Sequence, residues 1–559
     1  MTEKSGGAVP ISLYTASEIR AIEIAHAGQH PKISLMQRAG TAVAKLALTL
    51  TRKKKGAAIL VLAGPGNNGG DAWVAAAALK KAGQRVTVIA LGDQKLVDPA
   101  AKRAHAAFAG ANGIVRKDIP KDEPFDLIID GLFGIGLARA PGGAFANTIA
   151  RANELHAAGK AGGIPILAID IPSGLAADTG VALGEAINAD HTITFLGLKP
   201  GLFTAAGKDH AGEIHLETLG VTVSAENSGS GQLLTADVMR PLIPARRHQS
   251  HKGSYGNVGI VGGAEGMVGA AVLAARAALF MGPGKVFLGV VAKDAPAFDP
   301  LNPEIMIRKA EDLAGDEGLS SMAIGMGLGV DKSAPRLLAT ALGRSLPMVL
   351  DADALNLVAA TPGFAATLAA LPANSQGVES RAKEDRLNGD PHTDTDRRKN
   401  SNAGEPSRAQ MPETPRQSWT FVLTPHPGEA ARLMNVSVAH LQADRVTSAI
   451  ALARRFNGIV VLKGAGTVIA VPDGRYFINT SGNPGMASGG MGDALSGMIA
   501  AFLAQGLNAL DAARLAVYLH GAAADACIAH GMAPHGLTAS EVIFEARALL
   551  NAGLEHHDH

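Results

Sequence analysis

Apolar residues in this chain fall into short continuous runs separated by longer stretches in which they recur every three or four positions. Runs of the first kind read as strands buried on both faces, and the spacing of the second kind reads as amphipathic helix. Thr15 with Glu18 three residues on forms a capping box for a first helix to Ala27. A second helix runs from Ser34 through Leu35, Met36, Ala39, Val43, Leu46 and Leu50. The spacing then predicts strands at Ala57 to Ala63, Arg85 to Leu91, Phe125 to Ile129 and Pro165 to Ile169. Helices fall between them at Ala72 to Lys81, near Pro99 to Ala109 and near Phe145 to Ala158. Strands alternating with helices imply a parallel sheet with right-handed crossovers.

The pattern breaks at Val223 to Gly231, a small, polar, glycine-rich stretch that reads as a linker, and a second α/β series begins near Leu234. Its strands are Asn257 to Val261, Lys285 to Val291, Met322 to Ile324, Pro347 to Leu350, Thr420 to Leu423 and Gly458 to Leu462. Thr467 to Ala470 and Arg475 to Ile478 read as a hairpin around Pro472-Asp473-Gly474. Residues 373–418 have almost no apolar periodicity and mix both charge signs, and read as a disordered insertion. The expectation is α/β in two domains, an N-terminal Rossmann-like three-layer sandwich at 10–222 and a three-layer α/β/α domain at 235–552.

Parallel sheets bind ligands beyond the carboxyl ends of their strands, and the polar residues of this chain gather at those ends. In the first series they are Asn67, Asn68, Gly69, Gly70 and Asp71, then Asp130, Asp170 and Ser173. Asn68, Asp130, Asp170 and Ser173 are oxygen donors on one rim, suited to a hard cation or a polar ligand. Helix capping is the plain alternative for any one of them. In the second series Asn483 to Asp493 joins closely spaced glycines to one carboxylate, directly before the apolar run Ala494 to Phe502. A helix starting there points unpaired amides at the loop, a setting for phosphate, with Asp493 placed to take a hydroxyl proton. A glycine-rich turn capped by Asp493 is the alternative. His426 between two prolines, and Lys463 with Gly464, Gly466 and Thr467, are further candidates at strand ends, and no Walker A loop is present.

Composition narrows the partners. The 559 residues are 47% hydrophobic and 18% charged, which is globular and large enough for two or more domains. Aromatics are 4% and the formal net charge is +1, so neither stacking platforms nor a global field favours nucleic acid or acidic membranes. The single cysteine, Cys527, fits a reduced compartment and a core position. With no signal-like start and no apolar run long enough to span a bilayer, a cytoplasmic protein is expected.

Three blocks resemble the NAD(P)H-hydrate epimerase family: Asn67-Asn68-Gly69-Gly70-Asp71, Asp130 with its Gly134-to-Leu137 loop, and Asp170-Ile171-Pro172-Ser173-Gly174. Leu35 to Gly40 is a weaker fourth, and the likeness covers about residues 10 to 220. It implies that Asn68, Asp130 and Ser173 bind a potassium ion. The hydrated nicotinamide nucleotide would lie on Asn67 to Asp71, on Gly134, Ile135, Gly136, Leu137, Ala138, Arg139 and Ala140, and on Asp170, which would move the proton. About residues 235 to 550 resemble the ribokinase-like family and, within it, the ADP-dependent NAD(P)H-hydrate dehydratases. The carrying residues are Lys252-Gly253 with Gly256, Gly266-Met267 with Gly269-Ala270, Thr424 to Glu429, and Asn483 to Asp493. That likeness implies that Ala270, Gly327, His426 and Asp493 contact the hydrate, with Asp493 as base. Lys463, Gly464, Ala465, Gly466, Thr467 and Gly492 would hold the adenine nucleotide. Val268, Met326 and Met491 depart from the family pattern; at Met491 a hydroxyl is lost while the loop amides remain. The implied activity is bifunctional repair: epimerisation of R and S hydrated NAD(P)H, and dehydration of the S form with ADP to NAD(P)H, AMP and phosphate. Potassium, magnesium and ADP are the expected ions and co-substrate, and further copies of the chain the expected protein partner. The alternative is a ribokinase-like small-molecule or vitamin kinase with an accessory nucleotide-binding domain.

Overall fold

The structure, a computed structural model, describes residues 10–30, 34–52, 54–93, 97–121, 123–157, 163–222, 229–371, 419–532 and 534–554. The expected insertion at 373–418 lies outside them, as does most of the expected linker. The described strands, in chain order, are β1 (Ser12–Leu13), β2 (Ala58–Ala63), β3 (Arg85–Ala90), β4 (Ile114–Arg116), β5 (Leu127–Gly131), β6 (Ile166–Ile169), β7 (His191–Phe195), β8 (Glu213–Glu217) and β9 (Gly231–Leu234). They continue with β10 (Asn257–Gly262), β11 (Lys285–Val290), β12 (Met306–Lys309), β13 (Ser321–Ile324), β14 (Met348–Leu350), β15 (Phe421–Leu423), β16 (Ile459–Leu462), β17 (Val468–Ala470) and β18 (Tyr476–Asn479).

Among the described residues they form two sheets. The smaller has the order β4-β3-β2-β5-β6-β7-β8 with every pairing parallel. The larger runs β1-β9-β18-β17-β16-β15-β14-β13-β10-β11-β12, parallel except at β1–β9 and in the β16–β17–β18 meander. Each sheet reverses its winding at one place, between β2 and β5 in the smaller and between β10 and β13 in the larger. Helices leave to opposite faces there, so a crevice opens at the strand ends.

Both sheets carry apolar clusters on both faces, which is the three-layer arrangement the continuous apolar runs require. In the larger domain the helix Met491–Ala504 lies against the helix Val268–Phe280. Small residues make this possible: a Cβ at Gly497 would stand 2.0 Å from the Ala274 carbonyl oxygen. Cys527 is fully buried on the helix Ala509–Ala529, as its alanine-rich surroundings predict. No helix among the described residues is long and apolar enough to cross a membrane.

Local signals fixed the helix starts well. Thr15 and Glu18 form the capping box, and Ser34 caps the second helix. Two boundaries differ where glycine obscures the pattern. The helix expected from Ala72 begins at Asn67, and the one expected from Ala494 begins at Met491. In the first, the glycine-rich motif is the first helical turn; in the second, Gly490 is the N-cap and only Met491 to Asp493 of the motif are helical. The chain start also departs from its neighbours in sequence: β1 pairs antiparallel with β9 in the larger sheet, while the helix Ala16–Gln29 that follows packs on the smaller.

Candidate active sites at two sheet rims

The switch point of the smaller sheet brings Asn68, Asp130 and Ser173 together around one backbone carbonyl. Asn68 Nδ2 donates to the Phe133 carbonyl (2.9 Å), and Ser173 Oγ lies 3.3 Å from the same oxygen. Asp130 is fully buried. Its Oδ1 accepts from Ser173 Oγ (2.7 Å) and from the Leu132 amide, and its Oδ2 accepts from the Ser173 amide (2.7 Å). Burial pushes the Asp130 carboxyl up to about 6, against the pull of those hydrogen bonds. The donor set is all oxygen: amide, carboxylate, hydroxyl and peptide carbonyl. Gly134 adjoins it, with its missing Cβ position 3.2 Å from Asn68 Oδ1. The turn from Gly134 continues through Ile135, Gly136, Leu137, Ala138, Arg139 and Ala140 without regular secondary structure.

Asp170 follows β6 and adopts φ 68°, a left-handed backbone rarely taken by a residue with a side chain. Its Oδ1 accepts from Lys199 Nζ at 2.6 Å and from Thr194 Oγ1 at 3.1 Å, while Oδ2 takes no part in these contacts. Lys199 is itself fully buried and also donates to the Phe195 carbonyl. A strained backbone and a buried counter-charge together fix one carboxylate. Asp71, in the turn that starts at Asn67, has its carboxyl raised well above the usual range by burial, then by the charges of Asp170 and Glu23. Glu23 is raised as well, by burial and by Asp170. Asp71, Glu23 and Asp170 thus form a cluster of carboxyls with Lys199 as the cation on Asp170.

In the larger sheet, Asp493 sits in the first turn of Met491–Ala504, whose N-cap is Gly490 at φ 86°. It is a helical residue and not the cap. Its carboxyl is raised to about 6 by burial and by Asp351, which Lys463 opposes. Lys463 Nζ donates to Asp351 Oδ1 (2.8 Å), and Asp351 Oδ2 accepts from Ser496 Oγ (2.7 Å). The absent Cβ of Gly492 would stand 3.1 Å from Lys463 Nζ, so backbone and ammonium face each other. Lys463, Gly464, Ala465, Gly466, Thr467 and Gly492 line one cavity of about 570 Å³ with Asn479, Ser481 and His520. Burial pushes the His520 imidazole down to about 4.

Ala270, Gly327, His426 and Asp493 lie outside that cavity lining. Gly327 and Ala270 are neighbours, 3.4 Å apart across the Cβ that Gly327 lacks. His426 caps the helix Pro427–Met434, its Nδ1 accepting from the Gly428 amide. Its pKa is lowered by burial and by the Lys463 charge.

Sequence reasoning missed Lys199, Glu23, Ser496, Asn479 and His520, and it missed Lys208 and Asp209, which line the same cavity from the first domain.

Two strand-end rims, one with oxygen side chains and one with a glycine-capped helix start beside an aspartate, belong to a two-domain α/β protein. Residues 32–201 match the family described as YjeF-related protein N-terminus, and residues 258–371 and 406–545 match NAD(P)H-hydrate dehydratase. The bifunctional NAD(P)H-hydrate repair enzyme Nnr of Escherichia coli K12 is 36% identical over 505 residues, 89% of this chain and 86% of its own. The Coxiella burnetii enzyme of that name is 34% identical over 96% of this chain and 99% of its own. A Bacillus subtilis ADP/ATP-dependent NAD(P)H-hydrate dehydratase crystallised with ATP/Mg2+ is 29% identical, covering 57% of this chain and 98% of its own with a TM-score of 0.44. The chain belongs to the bifunctional NAD(P)H-hydrate repair enzymes.

Proposed function

We propose that the chain repairs hydrated nicotinamide nucleotides at two sites. The first domain interconverts the R and S epimers of hydrated NAD(P)H. The second dehydrates the S form with ADP, giving NAD(P)H, AMP and phosphate. The observation that carries this reading is the presence, in one chain, of two acidic strand-end sites of unlike chemistry, each at the carboxyl ends of its own parallel strands.

At the first rim, Asn67 to Asp71 and Gly134 to Ala140 hold the substrate. Asp170, fixed by Lys199, moves the proton, and Asp71, its carboxyl raised by burial and by the Asp170 charge, adds a second acidic group near it. Asn68, Asp130 and Ser173 fit a potassium ion because the set is all oxygen and includes a buried carboxyl with no cationic partner among its contacts. A bound potassium ion would supply positive charge that keeps Asp130 ionised and the loop around Phe133 ordered.

At the second rim, Asp493 takes the proton from the hydrate hydroxyl as it is phosphorylated. Amides of the Gly489 to Gly492 turn stabilise charge on the phosphoryl group. Ala270, Gly327 and His426 position the hydrate, and Lys463 to Thr467 hold the nucleotide. Lys463 is fixed by Asp351 with its charge toward Gly492, where phosphate arrives. Magnesium would accompany the nucleotide phosphates and neutralise part of their charge. Elimination of phosphate from the phosphorylated hydrate then restores the nicotinamide double bond. The reading also carries a cytoplasmic homo-oligomer, which light scattering of the purified chain tests.

The deciding experiment incubates the purified chain with mixed epimers and ADP, or ATP, and follows both epimers by chromatography. Loss of both, with AMP or ADP, phosphate and reduced-nicotinamide absorbance appearing, supports the reading. A stable phosphorylated alcohol as the end product would replace it with the small-molecule kinase.

A further inference from the structure

The cavity lined by Lys463 and Gly492 is walled partly by the first domain. Lys208 and Asp209, on the short helix Gly207–His210, line it beside Gly482 and Asn483. Lys208 Nζ donates to the Thr480 carbonyl (3.0 Å) and the Gly482 carbonyl (3.2 Å). An ammonium has three donors, so one remains for a ligand. A few residues earlier, Thr204 Oγ1 donates to the Gly466 carbonyl (3.2 Å), and the Ala205 amide donates to the Ala465 carbonyl (3.2 Å). Arg445, buried, ties Thr204 to the Leu462 and Lys463 carbonyls. Gly466 sits at φ 60°, and a Cβ there would stand 1.9 Å from the Phe203 carbonyl. Both cavity-lining loops of the larger sheet are thus held from outside by one segment, residues 203–208.

We propose that the nucleoside-diphosphate site is a two-domain site, with Lys208 as a positioning and binding residue in its wall. Lys463 and Gly492 face each other in the cavity lining, and Lys208 holds the backbone at Thr480 and Gly482, beside Asn479 and Ser481 of the same lining. This inference rests on the nucleotide reading of the cavity. The test uses the full chain with ADP as the probe, by calorimetry and by steady-state dehydration. Lys208→Ala should raise the Kd and KM for ADP about tenfold, a loss equivalent to one charge-assisted hydrogen bond. The kcat at saturating ADP should change much less, and Lys208→Arg should recover most of the affinity. An equal melting temperature for wild type and variant excludes a folding defect. If wild type binds ADP and Lys208→Ala binds it within twofold, the two-domain site is wrong and the nucleotide reading stands. If wild type binds neither ADP nor ATP, both fall.

A different observation carries a second inference, independent of that reading. At the opposite end of the smaller sheet from Asp170, His191 opens β7, and Glu213 opens β8 directly across from it. His215 follows two residues on, on the same face. His191 Nδ1 lies 3.2 Å from His215 Nε2 and 3.4 Å from Glu213 Oε2, and His215 Nε2 lies 3.8 Å from Glu213 Oε1. Two ligands about 2.05 Å from a tetrahedral zinc stand roughly 3.3 Å apart; the two imidazole nitrogens are already at that spacing, and the Glu213 carboxylate lies within reach of both, one oxygen toward each. The geometry points to a His-Glu-His site for zinc or a similar borderline cation, with its fourth position open to solvent, clipping the last two strands. The test is zinc stoichiometry of chelator-stripped full chain, wild type against His191→Ala and His215→Ala. The comparison is by difference because His556, His557 and His559 offer zinc ligands of their own. Wild type should bind one more zinc per chain than either variant and gain melting temperature on binding it. Equal stoichiometry in all three folded proteins overturns the assignment.

Discussion

The two rims solve the same placement problem with opposite materials. The first gathers side chains: Asn68, Asp130 and Ser173 from three strand ends, and Asp170 locked by a fully buried lysine. The second relies on backbone: a helix start with Gly490 as its cap, Gly492 facing Lys463, and one raised carboxylate. A side-chain cage suits an ion and a small proton shift, because it fixes charge at one point. An amide-lined turn suits phosphoryl transfer, because it offers several donors to charge that develops over several oxygens. The first rim therefore concentrates its vulnerability in single residues that also hold the fold. The second separates the two, since Asp493 carries no hydrogen-bonding duty among those described above.

The contrast can be broken most decisively at Asp493. Asp493→Asn should lower dehydration kcat by about 10²–10⁴, the usual worth of a positioned base. The melting temperature should stay near wild type and R-to-S exchange should persist. A comparable loss of stability would erase the distinction between the rims. At the first rim, Lys199→Met should remove epimerisation and also destabilise the fold by about 3–5 kcal/mol, because it leaves Asp170 facing a lost partner in a buried setting. Denaturant unfolding alongside epimer exchange reads both effects. Asp170→Asn should abolish enzymatic exchange while S-hydrate repair continues. Full R-hydrate turnover in that variant would take the proton-transfer role from Asp170.

Much of the chemistry was legible because it lies in contiguous motifs at strand ends. Asn67 to Asp71, Asp170 to Ser173 and Asn483 to Asp493 are each read from one short window. Lys199 was not legible, since it follows β7 with no motif around it and gains meaning only when β6 and β7 pair and bring it to Asp170. His520 was hidden in an alanine-rich helix where a histidine reads as core. The helix starts were misplaced at Asn67 and Met491 because glycine lowers helix propensity, while a switch point rewards a glycine helix start with anion-binding amides. β1 gave no signal at all: two residues cannot show a period.

Smaller effects sharpen the comparison through pH and salt. Asp493, at about 6, must be ionised to act as base, so dehydration kcat/KM should fall below pH 6 and level off above it. A flat profile from pH 5 to 8 would rule it out as the base. Asp130, also at about 6, sits above its unfolded value, so the folded state binds the extra proton. Its contribution to stability is greatest below about pH 4 and is lost as pH rises through 6. Potassium should reverse that loss by binding the ionised carboxylate. Replacing sodium with potassium should raise the melting temperature by a few degrees at pH 7.5, by less at pH 5, and not at all in Asp130→Asn. An equal rise in Asp130→Asn would show the ion acting elsewhere.

The short strand Ser12–Leu13 has a bearing on how this chain can be divided. It belongs to the larger sheet, although everything from Ala16 to β8 builds the smaller one. A cut near residue 228 would therefore not yield two self-sufficient pieces. The downstream fragment would lose the cover on β9 and present a bare sheet edge to other copies of itself. The upstream fragment would carry a loose end bearing Leu13, an apolar residue that is wholly enclosed in the intact molecule. The two activities are fused by a stitch at the head of the chain as well as by the peptide between them, so gene fission would require each half to grow a new edge.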